Sequence, residues 1–441
     1  LMDPTGRAYQ MPGAFRLSAA PEPERLQDAF RRMIAGEPLL RTAFVQEENG
    51  IFMRVLPQVN FQLAILTGST LELACAPLLE PFRLDQPPLL RAGLWEQDGV
   101  WTLVINLHHI IGDGLTTPVL LRRLDCCYRG EALCPLRVSY LDYAWQYSQL
   151  PRRSEQLTYW AQNLSPLPEP LELPGDFPRT YDFNYRGGHV CAELSRELSG
   201  ACDNACAKWG VSPYMFFLAA FSLLLSRLSG KQELVVGVPA AGRLLPESRE
   251  MCGPFINTLP LRLNAAGDCS VEDFLHAVRE AVNGMLDHQQ VGLEEIATTL
   301  KLPRVLSQSP LYQVMFTQRP LDADSFALQG HPMTYLPLST GTAKMDLVTE
   351  LYRERDCYCI QMEYASQLFL PETVRYFGRC FTALCASLAH AASELPLSRL
   401  ESLAPSDRME LLDIPQNTAV PFLNLPVPAL FQRQMELAPE A

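Results

Sequence analysis

"INLHHIIGDGL", residues 105–115, sets two adjacent histidines in an apolar run and follows them with Asp113 between Gly112 and Gly114. The chain has only seven histidines in 441 residues, so a pair within a hydrophobic stretch needs a chemical reason. Upstream, "VWTLVINL" (100–107) alternates Trp101, Leu103, Ile105 and Leu107 with Thr102, Val104 and Asn106. That is the period of a strand with two distinct faces. If the strand runs on through His109, His108 shares a face with Asn106 and His109 with Leu107. Only one imidazole can then face a given cavity. The glycines let the chain turn at Asp113 before the helical stretch "LTTPVLLRRL".

A metal site needs three or four converging ligands, and adjacent strand histidines diverge. A strand-end imidazole with a carboxylate a turn away suits proton handling near neutral pH. Two packed core histidines would also satisfy the pattern. The residues alone leave both readings open.

Outward from this stretch the first half alternates helices and strands. "PEPERLQDAFRRMI" (21–34) carries Leu26, Phe30, Met33 and Ile34 at helical spacing. "LLRTAFVQEENGIFMRVL" (39–56) reads as two strands joined at Glu48-Asn49-Gly50, a hairpin signal. The Pro-rich stretch "LSPLPEPLELPGDFPRTY" (164–181) has neither period and is the best internal boundary. Beyond it, Ser212-Pro213 opens a helix that Gly230 closes. "ELVVGVPAA" and "FINTLPLRL" read as strands, and "SVEDFLHAVREAVNGMLDH" (270–288) as an amphipathic helix begun by Ser270 and Asp273. Two α/β lobes of similar make are expected, with a Pro-rich linker from Pro405.

Composition, 48% hydrophobic and 19% charged, is that of a folded chain. The net charge of −13 disfavours nucleic acid or an anionic membrane as the main partner. The most apolar run, Met215–Leu225, is too short to span a bilayer and is broken by Ser222, so it reads as a buried helix. Thirteen scattered cysteines without a C-x-x-C pair suit buried thiols in a reducing cytoplasm.

Several motifs extend the histidine stretch. "HHIIGDG" resembles the HHxxxDG signature of condensation domains of nonribosomal peptide synthetases. In the family's order, "LLRTAF" (39–44) resembles the end of its second motif and "YLDYA" (140–144) its fourth. "VGVPAAGRLLPE" (236–247) and "GPFINTLPLR" (253–262) resemble the fifth and sixth, and "HQQVGLEEI" (288–296) the seventh. "SPLYQVMF" (309–316) and "KMDL" (344–347) follow, and the tail "VPALFQRQMELAPEA" resembles the opening of an adenylation domain.

The resemblance implies an α/β fold of two chloramphenicol-acetyltransferase-like lobes, a V-shaped pseudo-dimer with a central tunnel. The lobes would be residues 1–165 and 181–404, the connection 166–180, and the linker with the start of an adenylation domain 405–441. It implies amide bond formation between a donor acyl or peptidyl thioester and an acceptor amine. Both substrates ride on phosphopantetheine arms of upstream donor and downstream acceptor carrier proteins, and the domain itself holds no cofactor and no metal. His109 would handle or direct the proton, and Gly114 would offer a backbone N–H to the reacting carbonyl. His108 is expected to pack. Asp113 is expected to be structural, with Arg243 or Arg41 as its cationic partner. Asn257 is a candidate for the tunnel lining.

The sequence departs from the family pattern in places. Gly36-Glu37-Pro38 replaces the Arg-His-Glu usual in the second motif, Gly112 stands where Ser is common, and Gln146 takes the usual place of Trp. These leave room for a subtype that also dehydrates a bound seryl unit; a silent docking platform is the weaker alternative, since such platforms usually lose the histidine pair. The coenzyme A-dependent relatives are disfavoured because their DFGWG stretch is missing, and the cyclising variants because the histidine pair is kept.

Overall fold

In chain order the first half supplies β1 (Gln10–Leu17), α1 (Pro23–Gly36), the ribbon β2 (Thr42–Glu47) and β3 (Gly50–Val55), β4 (Ala64–Leu66) and α2 (Leu71–Cys75). Then come β5 (Leu90–Gln97), β6 (Val100–His108), α3 (Thr116–Tyr128), α4 (Tyr140–Ser148) and α5 (Arg153–Leu164). The second half adds β7 (Gly187–Glu193), α6 (Arg196–Trp209), α7 (Pro213–Ser229), β8 (Glu233–Ala240), β9 (Asn257–Asn264), α8 (Val271–Asp287) and α9 (Leu293–Thr299). It closes with β10 (Val314–Gln318), β11 (Ala327–Leu328), β12 (His331–Pro337), β13 (Leu347–Glu354), β14 (Cys357–Ala365) and α10 (Pro371–Ala389). The computed structural model describes residues 6–149, 153–302, 309–319, 326–413 and 425–439. Its contacts divide into two compact units, Leu1–Ser402 and Leu403–Ala441.

The first unit is built on two six-stranded sheets, ordered β11-β12-β1-β6-β5-β4 and β7-β14-β13-β10-β8-β9. The first covers one face with α1 and α3, whose Leu26, Phe30, Leu120 and Leu124 join Phe15 and Ile105 in one buried core. Pro118 falls in the first turn of α3, where a missing N–H costs no helical bond. The sequence boundary at 181–404 is crossed here, because β11 and β12 leave the second half and complete the first sheet. β12 lies antiparallel to β1 with Tyr335 opposite Phe15. Without it the outer edge of β1 would present unpaired backbone groups.

The second sheet is packed by α7, apolar on every side, with Phe216, Phe217, Phe221 and Leu224 buried. A helix without a polar face belongs in a core. Ser212 caps it by accepting from the Met215 N–H, and Gly230 ends it at φ 72°. No single helix among the described residues is long and apolar enough to cross a membrane. Helix α6, which the sequence reading passed over, opens at Ser195 and buries Cys202 and Cys206 on one face. Its period was obscured by small residues. The described cysteines are all free thiols.

The Pro-rich connection forms neither helix nor strand between 165 and 185. It is held by side chains instead. Gln313 Oε1 accepts from the Leu171 N–H at 2.9 Å, and Arg179 forms a two-pronged pair with Asp346, Nη1 to Oδ1 at 3.0 Å. Asp346 is 4% exposed, so its charge depends on this partner. Replacing it (Asp346→Asn) is expected to lower unfolding free energy by about 3 kcal/mol, the usual loss when one member of a buried pair is removed. Urea unfolding of the two proteins reads this directly, and an unchanged midpoint would remove the pair's anchoring role.

Candidate active site

Strand β6 stops at His108, and His109 opens a single 3-10 turn, His109–Ile111. The strand therefore does not continue through His109, and the strict alternation of the two rings does not apply. His108 makes the change of direction, its Nδ1 accepting from the Ile110 N–H at 3.0 Å. That bond selects the neutral Nε2–H tautomer. Its ring also meets Phe82 edge-on with centroids 6.0 Å apart. The backbone N–H of His109 is held by the Tyr9 carbonyl at 2.8 Å.

Burial, joined by the Lys344 ammonium, lowers both imidazoles from the usual 6.5 to about 4. Asp113 pulls His109 the other way, with less effect. Both rings are therefore neutral at pH 7.

Asp113, 2% exposed, joins the two halves of the chain. Oδ1 accepts from the N–H groups of Leu115 at 3.1 Å and Thr116 at 3.0 Å, which fixes the start of α3. Oδ2 accepts from Phe255 N–H at 2.9 Å and Ile256 N–H at 3.2 Å, in the second half. Arg243 supplies the charge, Nη2 to Oδ1 at 3.1 Å, with both side chains nearly sealed from water. Arg41 is not the partner: its guanidinium donates to the carbonyls of Leu56 and Pro57. It sits at the start of the β2–β3 ribbon, and its Nη1 is engaged there.

The remaining motifs brace this junction. Arg243 also donates to the Ser248 and Met251 carbonyls and lies 4.2 Å over the Phe255 ring. Gly242 precedes it at φ 64°, where a Cβ would stand 2.0 Å from the Phe255 carbonyl oxygen. Only glycine permits that approach. From α4, Tyr143 donates to the Gly242 carbonyl at 2.8 Å, and Tyr140 packs on Phe255 with ring centroids 5.2 Å apart. Asn257, expected at the tunnel wall, instead donates to the carbonyls of Gln289 and Val291 at 2.9 and 2.7 Å. Its amide ties β9 to the loop before α9. Gly112 has a local reason as well, since a Cβ there would meet Leu107 Cδ1 at 2.6 Å.

A cavity of about 310 Å³ opens between the two sheets and reaches Gly114 and Thr117. Gly114 is thus on its wall, next to the turn that carries His109.

Two groups were missed in the sequence. Lys344 was read only as part of "KMDL", yet its charge acts on both histidines. Glu37, noted only as a departure, is 1% exposed and has Arg123 at 4.0 Å. Burial pushes its carboxyl up against the pull of Arg123 and a bond to Cys252. A lone acid between apolar residues and a proline was the available signal.

A family model for the condensation domain matches residues 1–412. The chain belongs to the condensation-domain family of nonribosomal peptide synthetases. This condensation domain is 31% identical to tyrocidine synthase 3 of Brevibacillus parabrevis over 100% of its own length and 7% of that protein's. It is 30% identical to bacitracin synthase 3 of Bacillus licheniformis, again over 100% of its length and 7% of that protein's. The chain thus spans a small part of these relatives. Among solved structures it superposes on the X-domain from teicoplanin biosynthesis with a TM-score of 0.79 at 23% identity, covering 91% of this chain and 98% of that one. It also superposes on the first condensation domain of the calcium-dependent antibiotic synthetase, with a TM-score of 0.77 at 20% identity and 91% and 95% coverage. These likenesses establish the mixed α/β, two-lobed fold of the chloramphenicol-acetyltransferase type.

The depressed histidines give the domain a pH dependence with a definite sign. Below 6.5 an unfolded imidazole takes up a proton that folded His109 refuses until about 4. Stability is therefore full above 6.5 and falls as pH drops toward 4. Urea unfolding from pH 7 to 4.5 should show this loss, and His109→Gln should remove part of it. A proton NMR titration placing the His109 midpoint near 6.5 would overturn the assignment.

Proposed function

We propose that this domain forms an amide bond between a donor acyl or peptidyl thioester and the amine of an acceptor aminoacyl thioester. The substrates are carried on the phosphopantetheine arms of an upstream and a downstream carrier protein, and an adenylation domain adjoins the chain. The observation that carries the reading is a neutral His109 whose turn leads to Gly114, the residue of this motif that lines a cavity walled by both sheets. The domain binds no cofactor of its own in this reading, and free thiols suit a cytoplasmic setting.

The nucleophile must be a neutral amine, and an α-ammonium releases its proton at about 8. An imidazole lowered to about 4 is a poor resting acceptor for that proton. Its neutral ring is well suited to accept a hydrogen bond from the amine and aim the nitrogen lone pair at the thioester carbonyl. As the C–N bond forms, the nitrogen becomes cationic and far more acidic, and transfer to His109 becomes favourable. The Gly114 N–H would meet the oxygen that gains charge. The thiolate of the donor arm then leaves, and its protonation completes the balance. His108 serves by capping the turn. Asp113 and Arg243 act as positioning residues, through the backbone they hold.

Intact-mass measurement of two loaded carrier proteins tests the reading. Movement of the donor mass to the acceptor arm is expected, reduced about 10²–10⁴-fold by His109→Ala. Equal transfer by both proteins would end the role given to His109. Loss of one water from an arm would identify the dehydrating subtype instead, and no mass change on either arm a docking platform.

A further inference from the structure

The two walls of the cavity differ in chemistry. From β1 and β6 come the apolar Met11, Phe15, Ile105 and Leu107, with Gln10 beside them, whose amide is already engaged by Asn106 and by the Gly6, Leu79 and Glu80 carbonyls. The opposite wall is polar, with His189, Glu350, Gln361 and Glu363 from β7, β13 and β14, and Arg319 just past β10. Strand register makes this a continuous patch, since His189 stands opposite Glu363 and Gln361 opposite Glu350. Alternation sends the residues between, Leu347, Thr349 and Leu351, to the reverse face, where they are buried.

Charge on this wall is already balanced. Arg319 donates from Nε to Glu350 at 3.0 Å and lies 4.0 Å over the Tyr352 ring. Its Nη2 reaches Gln361 Oε1 only at 3.5 Å. The Lys344 ammonium and the Glu363 carboxylate offset each other. A charged side chain entering here would meet no uncompensated opposite charge and would lose its hydration. An aliphatic one would cover carboxylate oxygens and the Gln361 amide without pairing them. A neutral group that both donates and accepts satisfies the wall, while its carbon stem lies against the apolar side.

We infer that the cavity receives the side chain of a carrier-borne residue bearing a neutral carboxamide, read by Gln361 together with the Glu350–Arg319 pair. The inference rests on the proposed condensation reaction and narrows its substrate class. Gln361 is the specificity determinant, because its weakly held amide can exchange partners. Glu350 and Arg319 keep the wall neutral.

The intact chain is offered pantetheine thioesters of Gln, Leu, Glu and Lys, once as donors and once as acceptors, against a fixed carrier-bound partner. In one series the Gln thioester is expected to exceed the other three by about tenfold in kcat/KM, the worth of one or two added hydrogen bonds. Gln361→Leu should bring the Gln-to-Leu ratio toward one, and Gln361→Glu should shift preference toward Lys. Thermal midpoints of both variants separate misfolding from altered choice. Equal rates across both series, or a wild-type preference for Glu, Lys or Leu, would overturn the inference. Calorimetric binding of the corresponding non-reactive pantetheine amides reads the same order without chemistry. Selective binding without amide formation would keep the inference and remove the proposed reaction; amide formation without selectivity would do the reverse.

Discussion

The buried carboxylate of Asp113 is the constraint on which the site depends. A charge taken from water is tolerated only when its lone pairs and its charge are both met. Here the donors come from α3, from the 255–256 backbone and from Arg243, so they can converge only when the two halves of the chain are correctly placed. Gly242, Tyr140 and Tyr143 then serve the same junction, by close approach or by packing on Phe255. Motifs far apart in sequence thus brace one ion pair, and that pair sets the turn leading from His109 to the cavity.

The surroundings of His109 decide what kind of chemistry it can do. An exposed imidazole near 6.5 would be partly protonated at neutral pH and a mediocre hydrogen-bond acceptor. Burial and Lys344 keep the ring neutral. It therefore waits as an acceptor, and becomes a base only when the attacking nitrogen acquires positive charge. The same surroundings reduce stability in acid, a consequence of holding a neutral imidazole beside an ammonium group.

The second motif shows how one departure can be absorbed. Glu37 and Arg123 form their own buried contact, while Arg243 supplies the cation for Asp113. Loss of the usual arginine near position 36 therefore does not leave Asp113 unpaired. On the second sheet, the polar row faces the cavity because β7, β13 and β14 alternate, and α7 and its neighbours take the apolar row.

The order of residues was enough to place the strand leading into the histidine pair, though not its end at His108, and the hairpin at Asn49-Gly50, the α7 caps and the Pro-rich connection. Each rests on local periodicity or on a residue with a restricted backbone. The structural role of Asp113 was an expectation from the family resemblance of its motif, not from local periodicity. The folded chain was needed to choose Arg243 over Arg41 for Asp113, because 130 residues separate the pair and both arginines had suitable charge. It alone showed β11 and β12 completing the first sheet, a pairing governed by an open strand edge and not by nearby residues. The carbonyl partners of Asn257, Gln289 and Val291, lie more than thirty residues away and were likewise visible only in the folded chain. Lys344 acquired its meaning only through space, since electrostatics depends on distance and burial, and neither is written in the order of residues.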